Sequence, residues 1–199
     1  MIKRNLNKSQ GFTVIEIIIA AAIVSIVILG TYSLLLGQQM GYLDQQRMLH
    51  LQQQMRTALN VINKNIRMAG FDPTGKNETT PNTFGFQSIQ SNTVSFTYDV
   101  DSDGVLDTNE RYIFRVNANI LQYSNDNGTN WHNLTWQSSV AQVEATNLTF
   151  TYYDENGTIT AVAADVRGVQ VALTERVKLS SPGYNSKTLT TKIKVRNYD

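Results

Sequence analysis

Cysteine is absent from this chain, histidine occurs twice and proline three times. The first absence excludes a disulfide framework, a thiol nucleophile and a zinc–thiolate centre. His50 and His132 lack metal-ligand spacing and read as surface groups. No nucleophile elbow or phosphate-cradling loop accompanies the serines and aspartates, so the residues point away from an enzyme. Proline is missing before Pro73, which leaves a long stretch free to be helical. Charge is absent altogether from Ile17 to Leu43.

As a helix, that uncharged run extends roughly 40 Å, enough to cross a hydrocarbon core of about 30 Å with some tilt. Lys3, Arg4 and Lys8 are the only charges ahead of Gly11. This bias predicts a cytoplasmic N-terminus and a C-terminal bulk across the membrane. A secretory signal peptide would share the basic start, but its apolar region is only about 7–15 residues and its cleavage site follows that region. One carboxylate, Glu16, stands where the apolar run begins. An ionised group inside hydrocarbon is costly and is kept for a function.

The basic leader, Gly11, Phe12, Thr13, two aliphatic residues, Glu16 as the fifth residue from Phe12 and the aliphatic run resemble the type IV prepilin processing signal. Pilins and the pseudopilins of type II secretion share that signal. The resemblance implies that prepilin peptidase cuts between Gly11 and Phe12 and methylates the new amino group of Phe12. The helix would then serve as anchor in the bacterial inner membrane and as assembly stem. By the same resemblance, Glu16 takes the amino end of an adjacent subunit as its cation and sets axial register. Snorkelling of Glu16 to the cytoplasmic interface is the alternative for the unassembled monomer. Loss of the leader's three basic residues leaves 14 bases against 16 acids, about −2, which predicts no nucleic-acid binding.

Beyond the membrane run, Met48, Leu51, Met55, Leu59, Ile62, Ile66 and Ala69 recur at spacings of three and four. They form an amphipathic stripe, read here as the seat of a sheet, although a coiled-coil dimer would use the same pattern. From Phe12 to Ala69 the helix would span about 87 Å. Gly30, Gly37 and Gly41 each weaken it by roughly 1 kcal/mol relative to alanine, so bending or melting is expected there. Gly37 and Gly41 also make a small-xxx-small pair. At the helix end, NKNIRMAGFDPTG (63–75) suits a left-handed stop at Gly70, with Pro73 preventing resumption. The same string resembles the signature of PilW-like minor pilins, relatives of the J-type pseudopilins of type II secretion.

Residues 74–93 read as a long loop anchored by Phe84, Phe86 and Ile89. The period then changes to two, with strand-like windows at 93–98, 111–116, 119–124, 147–153, 166–173 and 188–195. Trp131, Trp136 and Tyr123 surround a polar loop and are expected to cover a sheet edge. The fold class that follows is α+β, a long N-terminal helix with an antiparallel β-sheet head of type IV pilin kind. Its segments are a leader (1–11), an apolar assembly helix (12–43), an amphipathic helix packed on the head (44–71) and a β-rich head (72–199).

DVDSDGVLDTNE (99–110) fits the twelve-residue calcium loop. Asp99, Asp101 and Asp103 supply carboxylates, Gly104 the turn, Val105 a carbonyl, Asp107 a water-mediated contact and Glu110 a bidentate carboxylate. The flanking windows are strand-like, which points to a static Ca2+ clip on a β-hairpin rather than a helix-pair switch. A solvated acidic hairpin would use several of the same residues. DENG (154–157) is too short for a site and reads as a turn.

The resemblance thus implies a noncatalytic minor pilin with a periplasmic head before assembly and a place in the pilus, at its tip, afterwards. Its partners would be prepilin peptidase and other pilins, the latter through the N-terminal helix. A J-type pseudopilin and a calcium-dependent adhesive tip subunit are the alternatives.

Overall fold

The computed structural model describes residues 11–76, 83–135, 142–180 and 182–196. Lys3, Arg4, Lys8 and Trp136 lie outside the described residues. Among the described residues, one long helix, α1 (Val14–Met68), is followed by eight strands: β1 (Gly85–Ile89), β2 (Thr93–Thr97), β3 (Arg111–Asn117), β4 (Ile120–Ser124), β5 (His132–Asn133), β6 (Val143–Tyr153), β7 (Gly168–Lys178) and β8 (Tyr184–Lys194). The chain divides into two compact units, Met1–Leu43 and Asp44–Asp199.

The first unit is helical from Val14 onward, and its large apolar side chains, among them Ile17, Ile23, Ile26 and Leu34, are exposed. It is long and apolar enough to cross a membrane by length and composition. Three hydroxyls in it bond to carbonyls one turn back: Ser25 to Ala21 O, Thr31 to Val27 O and Ser33 to Leu29 O, at 2.7, 2.8 and 3.0 Å. Each of these three hydroxyls is thereby satisfied within the helix, as a hydrocarbon surrounding would require. The helix passes through Gly30, Gly37 and Gly41 without a break, contrary to the expected melting. One glycine per turn or two lowers propensity, but continuous backbone bonding on both sides carries the helix across.

In the second unit, Leu51, Met55, Ala58, Leu59, Ile62, Ile66 and Ala69 are buried and Met48 is partly so. They join one core with residues of two antiparallel sheets, β1-β2-β3-β4-β5 and β6-β7-β8. The expected sheet is thus two meanders. Strand β1 falls within the predicted loop, because a bulge between Phe86 and Ser88 breaks the period-two pattern that would reveal it. Phe84 and Phe86 are buried and Ile89 packs against the core, as anchors should be. The two-residue β5, paired with Gln122 and Tyr123, was too short to leave a periodic signal.

Both ends of the helical segment in this unit are tied down, the first to the β7–β8 connection and the second to β2. Asp44 Oδ1 accepts the Ser180 amide at 2.7 Å, while Arg47 Nη1 donates to Ser180 Oγ at 2.9 Å. The Ser180 amide holds the Asp44 carboxyl below its ordinary range. At the other end Gly70, at φ +76°, stops the helix in the left-handed region and donates to Thr97 O at 3.0 Å. Asn65 Oδ1 accepts the Tyr98 hydroxyl at 3.0 Å. At the edge of the larger sheet the Arg115 guanidinium lies 3.4 Å from the Trp131 ring centroid, and Tyr123 contacts His132.

Ile62 is fully buried. Ile62→Ala is therefore expected to cost about 2–5 kcal/mol in denaturant unfolding. The same change at exposed Lys64 should stay within about 0.5 kcal/mol.

Candidate functional site

Two groups of residues carry chemistry, one at each end of α1. At its start, Gly11, Phe12 and Thr13 precede the helix, and Phe12 is 85% exposed. The Gly11–Phe12 bond thus lies in exposed, non-helical backbone, the form a peptidase needs. Thr13 is positioned as the N-cap: its carbonyl accepts the Ile17 amide at 3.3 Å. Glu16 Oε2 accepts both the Thr13 amide and the Thr13 hydroxyl at 2.8 Å, and the Glu16 amide approaches Thr13 Oγ1 at 3.4 Å. This reciprocal arrangement is a capping box. It supplies Glu16 with donors from its own helix and sets the carboxylate against the positive end of the helix dipole. The sequence points Glu16 to a neighbour's amino end or to the cytoplasmic interface; the local cap is a third arrangement, signalled by the Thr-x-x-Glu spacing.

The second group is the loop joining β2 to β3. A carboxylate oxygen from each of Asp99, Asp101 and Asp103 lies within 4.8 Å of the others. Asp99 is buried and accepts the Ser102 amide at 2.6 Å and the Gly104 amide at 3.0 Å. Asp101 accepts the Asp103 amide at 3.3 Å, and Asp103 that of Val105 at 2.7 Å. Desolvation and the nearby Asp103 charge push the Asp101 carboxyl up. The loop turns through positive φ at Ser102 and Gly104. A Cβ at Gly104 would also lie 2.6 Å from Thr74 Oγ1, so the loop seats on the segment that ends the helix.

Glu110 stands apart from the aspartate triad. It is buried, and its two oxygens accept the Val100 amide at 2.6 Å and the Asp107 amide at 2.9 Å, pinning both ends of the loop. Asp107 precedes the 3-10 turn Thr108–Glu110, and Val105 is exposed. The triad fits a hard divalent cation: oxygens 2.3–2.6 Å from one ion lie at most about 5 Å apart. The Glu110 carboxylate has a structural task already. Residues 154–157 form a turn closed by Asp154, which accepts the Thr158 amide at 2.8 Å.

Removing the Glu110 carboxylate leaves two amides without partners. Glu110→Ala is expected to destabilise the protein by about 1–3 kcal/mol in chelator-containing buffer, where a role confined to metal binding would produce no loss.

Residues 44–195 match the family described as Prepilin peptidase-dependent protein B, and residues 6–32 match the prokaryotic N-terminal methylation motif. No curated protein and no solved structure matches the chain. Both matched families are structural and pilin-like, and the motif together with the apolar helix is consistent with prepilin peptidase processing and inner-membrane anchoring. With the family match covering more than half its length, this type IV pilin-like prepilin belongs to the prepilin peptidase-dependent protein B family.

Proposed function

We propose that the chain is a noncatalytic minor pilin that, once cut between Gly11 and Phe12, helps to initiate or cap a type IV pilus. The observation that carries this reading is an apolar helix with exposed side chains whose one carboxylate sits in its first turn, in the same chain as an independently cored β-rich unit. Such a helix buries its surface only in lipid or against other helices. The capping box gives Glu16 a place in the monomer, and a neighbour's Phe12 ammonium then offers the carboxylate a full positive charge at the same depth. That exchange would favour assembly over residence in the membrane.

The string at 63–75 supports the PilW-like assignment, since its residues end the helix and engage β2: the Gly70 amide donates to Thr97 O and the Asp99 amide to Phe71 O. The acidic loop is read as a structural Ca2+ clip held by Asp99, Asp101 and Asp103. Val105, Asp107 and Glu110 complete the sequence pattern, Glu110 serving through the lone pairs its amide contacts leave. Calcium would screen the mutual repulsion of these carboxylates and fasten the β2–β3 connection where it meets the helix end.

In a strain deleted for this gene, electron microscopy is expected to show few or no surface pili while the major pilin persists in the membrane. Unchanged pili would point to a J-type pseudopilin or a dispensable adhesive tip. Glu16→Ala should still be cleaved, by mass of the mature chain, yet fail to restore pili; normal assembly would sink the role given to Glu16.

For the clip, calcium titration of the whole chain in detergent micelles should raise Tm, with about 2.7 kcal/mol gained at a hundredfold excess over Kd. Asp101→Ala should abolish the rise. An unchanged Tm in both proteins would remove calcium from the account.

A further inference from the structure

Strand β7 places Val169, Val171, Leu173, Glu175 and Val177 on the buried face of the three-stranded sheet. Glu175 breaks an otherwise apolar row. It is 0% exposed, and neither carboxylate oxygen has a hydrogen-bond partner. Glu110, equally buried, has both oxygens on backbone amides. Glu175 is thus a buried acid without the donors that would stabilise its charge.

The groups around it offer little compensation. Across the sheet it is in register with Ala145 of β6 and Lys187 of β8. Lys187 is half-buried on the outer strand, and no ion pair joins it to Glu175. Arg176, next along β7, is paired with Glu144 at 2.6 Å and lies over the Tyr184 ring. The buried residues of α1, from Leu51 to Ile66, carry no titratable group. Burial pushes the Glu175 carboxyl up to about 7.

We propose that Glu175 is a proton-operated latch in the head: as a neutral acid it lets β7 and β8 close on the shared core, and its ionisation loosens this sheet at the β8 edge. Among the described residues β8 pairs with β7 alone, so this edge is where water or Lys187 can reach the carboxylate with least disruption. The direction of the pH effect follows from proton binding. Between about 4.5, the ordinary value, and about 7, the folded head holds a proton that the unfolded chain has lost. Stability therefore falls as pH rises through that window and levels off above it.

The test is thermal unfolding of the whole chain in detergent micelles from pH 4.5 to 8, for the unaltered protein and Glu175→Gln. The difference in Tm between them should shrink, or reverse in favour of the glutamine variant, by about 7–14 °C across the window. Parallel curves, or a difference that moves the other way, would overturn the proposal. A second measurement uses only the unaltered chain, in case the variant does not fold. Infrared titration should show a protonated-carboxyl C=O band persisting to near neutrality and vanishing above it. Loss of all such absorbance below about pH 5, the range of ordinary carboxyls, would overturn the latch.

Discussion

Burial of the stripe from Leu51 to Ile66 is the contact on which the second unit depends. A helix in water owes most of its stability to tertiary packing of one face rather than to its own hydrogen bonds. The two sheets in turn need a common apolar surface, since each has one face that must leave water. The stripe supplies it, with Phe96, Phe114 and Leu121 from one sheet and Leu148, Val171 and Leu173 from the other in the same core. N-terminal to Asp44 the large apolar side chains of the same helix are exposed, and the segment is long and apolar enough to cross a membrane by length and composition.

Three glutamates show how differently one fold can treat the same group. Glu16 is met by the amide and hydroxyl of the residue three before it, a local solution that travels with the helix wherever it goes. Glu110 is met by amides from both ends of a twelve-residue loop and spends its charge on holding the loop closed. Among the described residues neither oxygen of Glu175 meets a donor, although the side chain is fully buried.

The helix terminator and the acidic loop form one structural piece. Gly70 stops the helix, Phe71 accepts the Asp99 amide, and Thr74 occupies the space a side chain at Gly104 would need. Thr74 is itself fixed by Asp72, whose Oδ1 accepts its amide and hydroxyl at 3.2 and 2.9 Å. Whatever tightens the loop therefore tightens the end of the stem. This gives the conjunction of the signature at 63–75 and the acidic run at 99–110 a mechanical meaning, since neither is complete in space without the other.

The long helix, its change from an all-round apolar surface to a single stripe, and most strands were legible in the sequence because periodicity reports local geometry directly. The left-handed stop at Gly70 was legible because only glycine adopts that conformation at no cost. So was the convergence of Asp99, Asp101 and Asp103, since alternate residues around a tight turn face one centre. Tertiary structure decided what depends on residues far apart in the chain. It split the strands into two sheets, hid β1 behind a bulge, turned Glu110 toward its own loop and left Glu175 without a donor. An acid among valines on a strand looks the same in sequence whether or not an amide or a lysine waits across the core, and only the packed fold says which.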